Sequence, residues 1–350
     1  MRWYTIKFKD NRPGPVNPRL PLVYSSLDQN GNSNPGALEI RFDIINAVGH
    51  LIGKSSHLRI HNVPLEICQL ALNYQGMDIT IYAGFLSGPT NGFKLARQNQ
   101  SGVIGFGRVQ ACIPNYMGTE MVMDFIIVPT YTGGPELDVP VKYSSTPSRP
   151  YNFSWGPNAD FMEALKVTFN NLGVKVTGGV DSRVLNSTGR PIDKMNSSFY
   201  QLCNFINEKT RSIVNQPLPL EKQNYDGVEM VFISPDTVFV SDNTGGRGTV
   251  ELRVDEFIGQ PSIMTPYGLQ IQSIHPLRSD VLVAGYVQYP KITALVGTLP
   301  VAGTQNKPLT GSQKKLKVTQ VRHIGGFRDS SAQGWATYVT AGSVLDPMEI

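Results

Sequence analysis

One β-rich stretch occurs twice in this chain, in the same order, and that repeat limits the possible folds more than any other feature. The later copy reads TVELRVD (249 to 255), LQIQSIHP (269 to 276) and DVLVAGYV (280 to 287). The earlier reads ALEIRFD (37 to 43), LRIHNVP (58 to 64) and DITIYAGF (78 to 85). FGRVQACIP (106 to 114) then answers LKVTQVRHIG (316 to 325), and MVMDFIIV (121 to 128) answers WATYVTA (335 to 341). Each piece alone is an ordinary strand, but five in register describe one β module used twice with a different segment between the copies.

Composition agrees with that organisation. A chain of 350 residues exceeds what one hydrophobic core usually supports, and 34 Gly and 25 Pro with only 17% charged residues favour many short strands and long connections. A formal charge of +4 is too small to argue a nucleic-acid binder, and the short cluster Lys314, Lys315, Lys317 reads as a solvated strand approach. Cys68, Cys112 and Cys203 form no C-x-x-C and leave one unpaired, which suggests reduced thiols and assembly in a cytoplasm. The N-terminal stretch MRWYTIKFKDNRPG has no apolar signal region, and no run of about 18 apolar residues occurs. No membrane insertion is expected.

Residues 3 to 8 alternate as an opening strand. The Pro- and Gly-dense segment from Asn11 to Gly36 is expected to lie outside any core, as is the tail Leu345 to Ile350. Strands follow at 37 to 45, 57 to 61, 77 to 85, 103 to 113 and 120 to 129, with one short helix possible between Val63 and Tyr74. Few helices and many short strands favour closed barrels. A Gly/Pro/Ser/Thr-rich boundary spans 130 to 150.

Beyond it Asn158 is placed to cap a helix carrying Phe161, Leu165, Phe169 and Leu172, closed by Gly173 at the C′ position. VKVTGGV reads as a strand, and Ser197 or Ser198 caps a second helix with Phe199, Leu202, Cys203 and Ile206 on one face. VEMVFI (228 to 233) and TVFVSD (237 to 242) form a hairpin. The expected fold is mainly β with an α+β insertion: a first β-barrel module at 1–145, an inserted α+β domain at 146–245, a second β-barrel module at 246–342 and a tail at 343–350. The loop at 297 to 313 matches in position the loop at 87 to 102.

Groups that could carry chemistry are sparse. Of His50, His57, His61, His275 and His323, only His57 and His61 have a suggestive spacing, and in a strand they would stand about 13 Å apart. Two sheet histidines are the simpler reading. Gly102, Gly105 and Gly107 lie at a strand entrance rather than between a strand and a helix, so close strand packing explains them better than a dinucleotide. Asp160 and Glu163 would suit an acid/base pair, yet a helix N-terminus favours carboxylates without any catalysis. Trp3, Trp155 and Trp335 stand at domain edges or on strands, as core or as interface anchors. No catalytic, cofactor-binding or metal-binding residue is assigned.

The run FIGQPSIMTPYGLQIQSIHPLRSDVLVAGYVQ (257 to 288) resembles the baseplate hub proteins of contractile-tailed bacteriophages, a family related to the N-terminal hub region of type VI secretion spike proteins. VTQVRHIGGFRDSSAQGWATYVTA (318 to 341) is similar to that family's closing strand pair, and LRIHNVP, MDITIYAGF and GFGRVQA to its first module. Ser279-Asp280 departs from the Pro-Gly often found there, which implies a different turn. The resemblance implies a homotrimer in the virion tail baseplate, assembled in the host cytoplasm. A six-fold tail tube or tube-initiator protein would lie above it, a three-fold spike protein below and other baseplate proteins around it, with DNA only as passing cargo. Duplication supplies an independent reason, because three chains with two similar modules present six similar surfaces in a ring. The alternatives are a tail-associated cell-wall hydrolase, which would need about 100 further residues for a separate lytic domain, and a two-barrel carbohydrate- or ligand-binding protein.

Overall fold

The computed structural model describes residues 1–10, 17–49, 55–86, 98–118, 120–128, 150–185, 191–219, 225–242, 246–263, 270–290, 315–331 and 334–342. The expected loop at 297 to 313, the boundary at 130 to 149, most of the loop at 87 to 102, His50 and the tail from Leu345 lie outside these residues.

The first part of the chain forms β1 (Arg2–Lys9), β2 (Val23–Ser25), β3 (Ile40–Ala47), β4 (Ser56–His61), the single-turn α1 (Leu65–Cys68), β5 (Asp78–Phe85), β6 (Ser101–Met117) and β7 (Glu120–Val128). The middle part forms β8 (Tyr151–Trp155), α2 (Phe161–Asn170), β9 (Lys175–Gly178), α3 (Ser182–Leu185), β10 (Ile192–Asn196), α4 (Phe199–Asn215), β11 (Glu229–Ser234) and β12 (Thr237–Ser241). The last part forms β13 (Thr249–Glu251), β14 (Ser262–Ile263), β15 (Gln270–Pro276), β16 (Tyr286–Gln288), β17 (Lys315–Gly326) and β18 (Trp335–Gly342).

Period-two alternation builds these strands as the sequence predicts. Tyr4, Ile6 and Phe8 of β1 and Ile40, Phe42 and Ile44 of β3 enter one apolar core, while Lys7, Arg41 and Asp43 face away. The expected barrels are not found: among the described residues the strands of the first and last parts share one open 13-stranded sheet, ordered β14-β15-β18-β17-β3-β4-β7-β6-β5-β1-β2 with β16 also on β17 and β13 on β16, while β10-β8 and β11-β12-β9 form two small sheets of the middle part. The physical reason is visible at β3, whose second edge goes to β17 of the later strand set instead of closing on its own.

Within that sheet the antiparallel order β4-β7-β6-β5 recurs as β15-β18-β17-β16. Both central strands carry a bulge toward the same neighbour, between Val109 and Ala111 on β6 and between Val318 and Gln320 on β17. The fifth pairing does not recur. β3 lies antiparallel on β4, whereas β13 runs parallel to β16 and β14 takes the place on β15. TVELRVD is extended only over Thr249–Glu251 before a 3₁₀ turn at Val254–Glu256, and DVLVAGYV is broken by a turn with Ala284 at φ 61°. Counting out from the bulges, Leu58 stands where Ser273 does, opposite Phe125 and Val339 respectively, four residues beyond the Leu269 that sequence matching pairs with it.

The Pro-rich N-terminal segment also departs from expectation, since Leu20 is buried in the first core and Val23–Ser25 pairs with β1. Five prolines limit its regular structure without preventing it from covering an apolar edge. The inserted region follows its sequence closely. α2 packs Phe161, Leu165 and Phe169, and α4 packs Phe199, Leu202, Cys203 and Ile206, into a separate core beneath β8, β11 and β12. The cap of α2 is Asp160, whose carboxylate accepts the Glu163 N–H at 2.9 Å; Asn158 sits earlier, at φ 59°. Gly173, at φ 71°, closes α2, with its N–H on Asn170 O and that of Val174 on Phe169 O. Ser198 caps α4.

Candidate functional site

The groups brought together from distant sequence lie where the two strand sets meet. β3 and β17 pair from Ala47 opposite Gln320 to Arg41 opposite Gly326. Across this seam Arg322 grips Asp43 through both carboxylate oxygens, Nε to Oδ1 at 2.7 Å and Nη2 to Oδ2 at 2.5 Å. That hydrogen bonding raises the Arg322 pKa. Trp335 opens the later set's last strand, yet its ring lies in the earlier set's core, edge-on to Phe42 at 4.9 Å. Gly325 makes room, because a Cβ there would approach the Phe42 ring to 2.2 Å. Trp335 is therefore both core and anchor.

A second contact locks the seam. Ser279 donates its N–H to Asn99 O at 3.0 Å and its hydroxyl to Ser101 O at 2.8 Å, and Asn99 Nδ2 donates to Asp280 at 3.2 Å. Gly102 admits this approach: its φ is 151°, and a Cβ would meet Ser279 Oγ at 2.5 Å. The unusual Ser279-Asp280 dipeptide thus supplies two donors and one acceptor of the joint. Beneath it the buried Arg278 holds Asp280 with Nε and Nη2, both at 2.7 Å, and Glu256 with Nη1 at 3.1 Å. Burial, the largest influence on Arg278, pulls its pKa down, and the two carboxylates outweigh it. Asp280, pushed up by burial, ends lowered by Arg278.

The inserted region is held from the other side. Lys317, read from sequence as a solvated lysine, is 5% exposed and pairs with Glu229 of β11 at 2.8 Å. Its position at the start of β17 carries it under the insert, where Val231, Ile233 and Phe239 also pack on the later core. Gly49 lies so close to α4 that a Cβ would strike Cys203 Sγ.

On the outer face of β17, β3, β4 and β7 an open groove of about 690 Å³ is lined by Arg41, Asp43, His57, Arg59, Asp124 and Tyr338, among others. Asp124 is taken by Arg59 in a two-oxygen grip and Asp43 by Arg322. His57 rests beside Ser55 at 3.3 Å, while His61, buried four residues along, meets Glu120 at 3.1 Å. The structure does not bring the two histidines to one centre, and no group of three or more His, Cys, Asp or Glu fit to hold a metal ion exists among the described residues. Gly105 and Gly107 face Ile44 Cγ2 and Val128 O, at 2.4 Å each from where a Cβ would stand. They serve close packing. Asp160 caps α2 and Glu163 pairs with Lys166. His275 and His323 are buried within the later strand set. Sequence reasoning missed Arg278, Asn99 and Lys317 because a lone polar residue in a loop or strand has no periodic signature.

No family model matches the sequence, and no curated protein matches it. Among solved structures the chain is similar to the 43 kDa tail protein of prophage MuSo2 from Shewanella oneidensis, at 9% identity over 97% of this chain and 96% of that one, with a TM-score of 0.48. It is also similar to a tail protein from Neisseria meningitidis MC58, at 8% identity over 99% and 98% of the two chains and a TM-score of 0.46. A chain of the Francisella PdpA–VgrG complex matches at 9% identity over 98% of this chain and 58% of that one, with a TM-score of 0.43.

Proposed function

We propose that this chain is a structural protein of a phage tail: the central baseplate hub of a contractile tail, which closes as a homotrimer into a pseudo-six-fold ring. It would join a six-fold tube to a three-fold spike, contact other baseplate proteins around its rim and leave a channel for DNA. The observation that carries this reading is the recurrence of β4-β7-β6-β5 as β15-β18-β17-β16, bulge included, with the two sets fused into one sheet. Two similar units arranged head to tail within a chain make half-steps of a ring, so three chains give six stations. The modules are residues 1–145 and 246–342, and the α+β domain of 146–245 sits outside the ring. Chemistry plays no part in this role, which rests on shape and interface burial.

Native mass measurement of the purified chain over a concentration series tests it, with a trimer expected. A monomer at every concentration overturns the reading. A charge placed on Val281, Val283 or Val287 does not test assembly, because these side chains lie in the chain's own core. The hydrolase alternative has its own test in the double substitution Asp160→Asn, Glu163→Gln, which keeps a good cap on α2. Tail assembly and any lytic activity should be unchanged.

A further inference from the structure

The later strand set holds the earlier one with a particular surface, and the earlier set owns the same surface, uncovered among the described residues. On the later set that surface is the end of β17 past its bulge, together with Ser279. Counting from the bulges, residues 320 to 326 of β17 correspond to residues 111 to 117 of β6. Leu277 and Val63 both donate their N–H to the strand that closes the hairpin, at Trp335 O and Met121 O, so Leu65 stands where Ser279 does. On β17 this edge is paired with β3. On β6, among the described residues, β5 pairs only as far as Arg108, and the side opposite β7 carries no strand beyond it.

This edge is also where apolar side chains are left in water. Ile113 is 50% and Tyr116 70% exposed on β6, and Leu65 and Leu72 are 49% and 66% exposed on the segment packed beside β7 and β6. Apolar side chains gathered along an unpaired strand edge are a liability unless a partner covers them. The matching half of the contact exists on the later set. β14 lies on β15 as β3 lies on β4, and its outer edge is open among the described residues.

We propose that the open edge of β6, with Leu65 and Leu72, receives the β14 edge of a second copy of this chain, repeating between chains the contact that β17 makes with β3 inside one. This rests on the ring reading above and specifies which edges close it. Because β14 and β6 lie on different strand sets, the contact is head to tail and propagates until a ring closes.

The internal pairing fixes the register. Asp43 faces His57, as Ser262 faces Gln272, and His57 and Gln272 occupy the same place beside β7 and β18, opposite Ile126 and Thr340. Since Asp43 lies opposite Ile324, which corresponds to Asn115, Ser262 of one copy lies opposite Asn115 of the next. Pro114 then faces Ile263, and Tyr116 faces Pro261. Met117 and Glu120 close the β6–β7 turn, so Pro114 and Tyr116 direct their backbone groups outward. Two bonds survive there, Ile263 N–H to Pro114 O and Tyr116 N–H to Pro261 O, while the prolines withhold the other two donors. A ladder weakened in this way discourages indiscriminate strand addition and leaves the specificity to the apolar side chains.

Cysteine cross-linking decides the matter. An opposed pair of this kind places Cα atoms about 4.5 Å apart, within disulfide reach. A chain carrying Asn115→Cys mixed with one carrying Ser262→Cys should yield a covalent dimer on mild oxidation. Neither alone should, nor should Asn115→Cys with the exposed Val254→Cys. Tyr116→Asp should weaken association about 30-fold or more at unchanged thermal stability. A trimer by mass with no selective 115–262 link, or with full association after Tyr116→Asp, overturns these edges and leaves the ring reading standing. A monomer at every concentration overturns both.

Discussion

The two strand sets fill equivalent interior positions with opposite chemistry. Leu58, Ile60 and Met123 of the earlier set correspond to Ser273, His275 and Thr337 of the later one, and all six are buried. The first three pack among aromatic rings such as Phe8, Tyr74 and Phe125. The second three are hydrogen-bonded instead, Ser273 and His275 in one chain and Thr337 in a separate group. Glu256 O can only accept, so His275 donates Nδ1–H to it at 3.0 Å and accepts on Nε2 from Ser273 at 2.8 Å; Ser273 in turn accepts from Tyr289 Oη at 2.9 Å. Thr337 accepts the Arg278 N–H at 3.0 Å and lies 2.9 Å from His323 Nδ1. One strand scaffold thus tolerates an apolar or a polar filling. The polar filling demands every partner in place and makes stability depend on protonation.

The sharpest break in this contrast is Arg278→Met, which leaves Asp280 and Glu256 without their cation and should cost about 3 kcal/mol or more in urea denaturation. Pro64→Ala, at the corresponding place in the earlier set, should stay within about 0.5 kcal/mol. Acid comes next. Burial lowers His275 to about 4 and His323 to about 3, below the unfolded value of 6.5, so the unfolded chain binds these protons more readily. Their contribution is complete above pH 6.5 and is lost as pH falls toward those values, at up to about 1.4 kcal/mol per pH unit for each histidine. His323→Leu should remove its share of the slope between pH 6 and 4, and an unchanged slope refutes the assignment.

Smaller effects sharpen the comparison further. Thr337→Val strands the Arg278 N–H and should cost about 2 kcal/mol, whereas Met123→Leu opposite it in the scheme should cost about 1 kcal/mol or less. Tyr289→Phe removes one hydroxyl from the end of the chain and should cost about 1 kcal/mol, read as a small shift in the urea midpoint.

Much of the fold was legible. The opening strand, the strands β3 to β7, both long helices with their serine and glycine boundaries, and the β11–β12 hairpin follow from period and cap chemistry. The recurrence of four segments in the same chain order was legible as well, but their neighbour order in the sheet was not. The joint was less so: Ser279-Asp280 stood out as a departure, but Arg278, Asn99 and Lys317 acquire meaning only from partners far away in sequence.

By itself, then, the sequence determined most strands of the earlier set and which face of each turns inward, because side-chain alternation is a local property that any apolar core selects. It left register open. Sliding 58 to 64 from 269 to 273, or Asp78 from Asp280 to Tyr286, shifts a strand by an even number of residues and keeps every side chain on its face. It also left open what β3 does with its second edge. A strand alone would close on either neighbour, and only the packing of Trp335 on Phe42, the Arg322–Asp43 pair and Ser279 on Ser101 commit it to β17. Those contacts join residues at least 178 positions apart, so no local pattern encodes them.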